Sequence, residues 1–123
     1  MPKTQVVFYA VENVSPTLEW LDDVPDNARD KLVYRIRRLE EAGHELRRPE
    51  ADYLRDSIYE LRVRHQRVNY RLLYFFNKGV AIVAHGCTKE GVVDTGDIDR
   101  DIARRKVYLA NPQGHAYVAP AED

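Results

Sequence analysis

IYELRVRHQRVNYRLLYFFNKGVAIVAHG, residues 58–86, decides the fold. Its opening alternates, with Tyr59, Leu61 and Val63 on one side and Glu60, Arg62 and Arg64 on the other, the period of a half-buried strand with a charged outer face. His65 to Arg67 make a polar turn, VNYRLLYFF resumes as a second strand, and Asn77-Lys78-Gly79 is a strong turn signal. VAIVAHG is a nearly continuous apolar strand suited to the middle of a sheet. Three strands joined by such short turns predict an antiparallel meander.

Working outward, residues 44–56 show no clear period and contain Pro49 among charges, which predicts a connecting loop. Upstream, Pro25 opens a helix in which Ala28, Leu32, Ile36 and Leu39 recur at spacings of three and four, and Gly43 is its natural stop. Arg29, Arg37 and Arg38 lie on the other side and read as a solvated face. Ser15-Pro16 marks the start of a shorter helix through Leu18 and Leu21. The run Val6 to Val11 is short and rich in β-formers, hence a strand. Downstream, a helix from about Asp97 to Leu109 places Ile98, Ile102 and Leu109 on one face. Its acids Asp97, Asp99 and Asp101 and its bases Arg104, Arg105 and Lys106 follow the order that the helix dipole favours. The sequence therefore predicts one α+β domain over residues 1–109 and a flexible C-terminal tail over 110–123, where Pro112, Gly114 and Pro120 stand among few apolar residues.

Length and composition agree with a single core: 123 residues, 44% hydrophobic and 32% charged. No apolar run approaches a membrane span, MPKTQVVFYAVENV lacks the features of a signal peptide, and the single cysteine, Cys87, suits a reducing compartment, so a cytoplasmic protein is expected. The formal net charge of −1 does not suggest a polyanion-binding protein, but its distribution is uneven. Residues 1–26 set Lys3 against five acids, whereas residues 55–89 set seven arginines and lysines against Asp56 and Glu60. A positive patch on a nearly neutral chain is thereby permitted.

The well-marked enzyme motifs are missing: there is no Gly-rich phosphate loop, no His-Glu-x-x-His and no Gly-x-Ser-x-Gly. A lone cysteine leaves no thiolate cluster for zinc, and neither cofactor nor metal is expected. The strand bearing Glu60, Arg62 and Arg64 is what remains, joined by Arg71 if the partner strand presents it to the same face. Such guanidinium groups suit a phosphodiester. RNA can be cleaved without metal by attack of its own 2′-hydroxyl, provided that the protein aligns the groups, stabilises phosphate charge and moves protons. His65, beside Arg64 or Glu60, is the available acid–base group. The same charges equally serve to keep a strand face soluble. His85 reads as a hydrogen-bonded core histidine, Cys87 as a small buried residue, and Tyr59, Tyr70 and Tyr74 as sheet or core residues.

The strings LRDSIYELRVRH, NYRLLYFF and VAHGCTKEG, in this order and followed by a last helix, resemble the phage-derived HigB-like toxins of the RelE/ParE superfamily. The resemblance covers roughly residues 5–109 and is strongest from Leu54 to Lys89. It implies an N-terminal strand and helical hairpin packed on a small antiparallel sheet, with a C-terminal helix. It also implies the toxin of a type II toxin–antitoxin system, an mRNA interferase that cleaves messenger RNA on the ribosome and is neutralised by a helix-turn-helix antitoxin. Arg62, Arg64, Arg71 and Lys89 occupy the positions of the family's phosphate-facing basic groups, whereas His65 corresponds to no family motif. The chain departs from its relatives after Gly86, where Cys87-Thr88-Lys89-Glu90 offers one lysine and an acid, and between Gly91 and Ile98, which hold no tyrosine. Two alternatives stay open: a ParE-like protein that binds gyrase, and an inactive relative that binds the antitoxin and co-represses the operon.

Overall fold

The computed structural model describes residues 3–120. The chain runs through β1 (Gln5–Phe8), α1 (Pro16–Asp23), α2 (Asp26–Ala42), β2 (Ala51–Arg55), β3 (Ile58–His65), β4 (Val68–Asn77), β5 (Val80–Thr88) and α3 (Thr95–Ala110), with short 3-10 turns at Gly43–Glu45 and Gln113–His115. One five-stranded sheet has the order β1-β5-β4-β3-β2. The α1–α2 hairpin covers one face around Leu21, Leu32, Leu39, Leu61, Leu72 and Val83. Helix α3 covers the other around Ile58, Leu73, Phe75, Ile82, Ile98 and Tyr108. This α+β arrangement is RelE/ParE-like, as the sequence leads one to expect. The sheet is mixed rather than purely antiparallel, because β1 joins β5 in parallel.

Two-residue turns set the meander. Asp56-Ser57, Gln66-Arg67 and Lys78-Gly79 all have positive φ at both positions, the conformation whose twist matches that of the flanking strands. The meander has four strands rather than three. β2 lies inside the stretch expected to be a loop; it is only five residues long, holds its charged edge with an Arg48–Asp52 ion pair at 2.7 Å, and pairs with β3 through a shifted register between Tyr53 and Arg55. The most central strand is β4, while β5 is the interior strand beside it.

The helices begin where the sequence indicates. Ser15 caps α1 by accepting from the Leu18 amide at 3.2 Å, and Gly43 closes α2 at φ 54°. Arg29 is not a solvated group: its guanidinium donates to the carbonyls of Leu21, Asp22 and Val24 at 2.7–3.0 Å and ties the end of α1 to the start of α2. Arg38 is likewise engaged, by Glu50 at 3.0 Å. The stripe of α3 differs from expectation, since Ile98, Asp101 and Tyr108 are buried and Leu109 is 38% exposed. The segment after α3 also differs from the expected loose tail. Ala10 and Tyr117 donate backbone hydrogen bonds across to His115 and Phe8, and Asn13 exchanges side-chain hydrogen bonds with Val118 at 2.8 and 2.9 Å, so residues 115–118 lie along the outer edge of β1. These are backbone contacts, which an apolar periodicity cannot reveal; residues 121–123 lie outside the described part. No helix among the described residues is long and apolar enough to cross a membrane.

One close approach and one buried carboxyl mark how the helices sit on the sheet. Trp20 of α1 lies directly on Gly86 of β5, where an added Cβ would overlap its ring. Gly86→Ala is therefore expected to lower stability by about 1–3 kcal/mol, read as a lower urea midpoint with unchanged slope. Asp101 is fully buried with no hydrogen-bond partner for either carboxylate oxygen, and burial pushes its pKa up to about 8 against a weak opposing pull from Arg104. Because the folded protein holds this proton more tightly than the unfolded chain does, the favourable term is complete below about pH 4 and is lost as pH rises towards 8. Asp101→Asn should flatten that slope and raise stability at pH 8 by a few kcal/mol; equal pH dependence of urea unfolding in variant and wild type would refute it.

Candidate functional site

Strand pairing settles whether the arginines meet. Arg62 of β3 lies directly opposite Arg71 of β4, with Glu60 opposite Leu73 and Arg64 opposite Asn69, so the even-numbered charges of β3 and Arg71 share the face on the α3 side. Helix α3 covers only the half of this face around Ile58 and Leu73. Beyond it the charged residues line a cleft of about 420 Å³ together with Arg48 and Asp52 from the β2 side and the loop 90–93.

Glu60 is the centre of this cleft. Its Oε1 lies 3.3 Å from Arg62 Nε and 3.3 Å from Arg71 Nη1, with its side chain 7% exposed. Burial raises the Glu60 pKa, opposed first by Arg71 and then by Arg62, while Asp52 adds to the rise. Arg71 is itself buried and donates a hydrogen bond through Nη2 to the Gly91 carbonyl at 3.3 Å. Arg62 is more open, and Arg64 is exposed at the mouth of the cleft. Asp52 is held below the usual carboxylate range chiefly by its hydrogen bond from Arg48, against the upward push of burial. A carboxylate of raised pKa between two fixed guanidinium groups can accept a proton while the arginines bind an anion.

Of the residues expected at the site, Arg62, Arg64 and Arg71 come together. Lys89 does not join them: its ammonium forms ion pairs with Asp94 at 2.7 Å and Asp97 at 2.9 Å, which raise its pKa, and it is not among the residues that line the cleft. His65 does not join them either. It sits an odd number of residues from Glu60, so strand alternation sends it to the opposite face, and it pairs with Val68 at the hairpin end. The acid–base candidate beside the arginines is Glu60, visible in the sequence as one of the three charges of the strand but not recognisable there as buried. Arg48 and Asp52 were hidden in the stretch read as a loop.

A second polar group lies under α3. The register shift between Leu73 and Tyr74 leaves Ala84 unpaired in β5, and His85 reaches Asp97 of α3, with Nε2 2.7 Å from Oδ1. Burial lowers the His85 pKa against the pull of Asp97. Burial pushes up the Asp97 carboxyl in turn, yet the hydrogen bonds from His85 and Lys89 hold it below its ordinary value. Cys87 is 8% exposed and its thiol is pushed up to about 12 by burial, which makes it a poor nucleophile.

Comparison with curated proteins gives no match. A family model described as "Phage derived protein Gp49-like (DUF891)" matches residues 19–108, which run from within α1 almost to the end of α3 and include every residue of the cleft. The chain belongs to the phage-derived Gp49-like family.

Proposed function

We propose that this protein is a HigB-like toxin of the RelE/ParE superfamily that cleaves messenger RNA on the ribosome, without metal, and is neutralised by a helix-turn-helix antitoxin. The observation that carries the reading is the placement of Glu60 between Arg62 and Arg71 in one open cleft. In this scheme Glu60 removes the proton of the 2′-hydroxyl. The freed oxygen attacks the adjacent phosphorus, the bond to the 5′-oxygen of the next nucleotide breaks, and a 2′,3′-cyclic phosphate forms. Arg62 and Arg71 hold the non-bridging oxygens as charge builds on them, and Arg64 at the mouth guides the strand. The leaving oxygen takes its proton from water or from the protonated Glu60.

One observation favours the inactive-relative reading: Lys89, a basic position that the family resemblance assigns to the site, is tied up by Asp94 and Asp97. That reading expects antitoxin binding without RNA cleavage.

Cell-free translation of a defined message with added protein, with RNA ends mapped by primer extension, separates the two. The nuclease gives new ends only while the message is translated, and Arg62→Ala lowers the rate by about 10²–10³-fold. Glu60→Gln lowers it by a similar or larger factor and removes the acid limb of the pH–rate profile, since activity in the wild type rises as pH passes through the raised pKa of Glu60. Arg71→Ala is less informative, because it also strands a buried carboxylate. Wild-type protein that folds, binds an antitoxin and leaves translated messages intact would overturn the nuclease.

A further inference from the structure

We propose that His85, Cys87 and Asp97 form a divalent metal site of the zinc class, with three protein ligands that join β5 to the first turn of α3. The imidazole, thiol and carboxylate donor atoms all lie within 4.8 Å of one another. Three ligands at zinc's bond lengths stand roughly 3.3–3.8 Å apart around a tetrahedral ion, so side-chain adjustments of about 1 Å suffice. His85 and Cys87 are two residues apart on one strand, and Asp97 comes from the helix that packs on it. The site does not depend on the RNA-cleaving reading, since none of its three residues lines the cleft.

The donor set selects the ion. A thiolate and an imidazole beside one carboxylate suit Zn2+ and are poor ligands for Mg2+ or Ca2+, which take oxygen. Charge also balances: thiolate and carboxylate together neutralise a dication, which matters where His85 and Cys87 are both less than a tenth exposed. Cys87 belongs to the same apolar cluster as Val93 and Ile98, so the ion would be shielded on that side. Among the described residues Lys89 is the cation on Asp97 that must yield, and it keeps Asp94 as a partner at 2.7 Å when it does. On binding, Cys87 gives its proton to solvent. If Nε2 takes the metal, the imidazole hydrogen resides on Nδ1, where the 3.5 Å approach of Arg104 is long enough to be given up.

The chain has a single cysteine, so a thiolate signal can have only one origin. Untagged full-length protein, stripped with chelator, is titrated with Co2+ and then with Zn2+. Expected are a sulfur-to-cobalt charge-transfer band in the near-ultraviolet, its displacement by Zn2+, and a Zn2+-dependent rise in melting temperature that chelator reverses. His85→Gln and Asp97→Asn should each weaken Zn2+ binding by at least about tenfold, and Cys87→Ser should abolish the band. His44, His65 and His115 can bind metal loosely but cannot give a sulfur band. Absence of that band in the wild type, or unchanged Zn2+ affinity in folded Asp97→Asn, would overturn the site. Should Cys87→Ser fail to fold, the wild-type band still decides.

Discussion

Arg62 opposite Arg71 is the constraint on which the site depends. Two like charges directly across an antiparallel pair repel one another, and one of these is buried. Glu60 makes the arrangement tenable by sharing one carboxylate oxygen between both guanidinium groups. The pairing itself is fixed by the two-residue turn at Gln66-Arg67. A slip of one residue in that hairpin would turn Glu60, Arg62 and Arg64 into the core under α2 and Leu61 and Val63 out of it, which the apolar face forbids. The hydrophobic pattern of β3 thus holds the charged groups in place.

On the other half of the same face, the unpaired Ala84 plays an equivalent part. With regular alternation from Ile82, His85 would face the α1–α2 hairpin and Gly86 would face α3. The extra residue reverses the order: His85 and Cys87 reach α3, and Gly86 comes to lie under Trp20, the place where the absence of a side chain is needed. One irregularity in β5 therefore determines both the seat of α1 and the polar group at the start of α3.

The strands β3, β4 and β5 and all three helices were legible from apolar residues recurring at strand or helix spacing or, in β5, running nearly unbroken, although in α3 Asp101 takes a buried place and Leu109 an exposed one. Features held by backbone hydrogen bonds left no such trace. β2 is five residues with charges at its edge, and residues 115–118 attach to β1 through amides and Asn13. The site was half legible. Alternation alone put Glu60, Arg62 and Arg64 on one face, but the depth of Glu60 follows from the cover given by neighbouring strands and the loop after β5. His65 is close to Glu60 in sequence, but in a strand an odd separation means the opposite face. The three aspartates of α3 read as a plain dipole pattern, yet each has a separate fate: Asp97 on His85 and Lys89, Asp99 on Arg55, and Asp101 buried without a partner.

The near-zero net charge becomes intelligible once the ion pairs are located. Arg35 and Arg38 are taken by Glu50, Arg55 by Asp56 and Asp99, and Lys89 by Asp94 and Asp97, so these five acids neutralise bases away from the cleft. Inside the cleft four arginines face three carboxylates, Asp52, Glu60 and Glu90. The local surplus is therefore positive although the chain as a whole is not, and Glu60 is the acid whose charge burial makes expensive to keep. An incoming phosphate that drew Arg62 and Arg71 towards itself would weaken their hold on Glu60 and raise its affinity for a proton further. Anion binding and proton uptake at this carboxylate are thus coupled in the same direction.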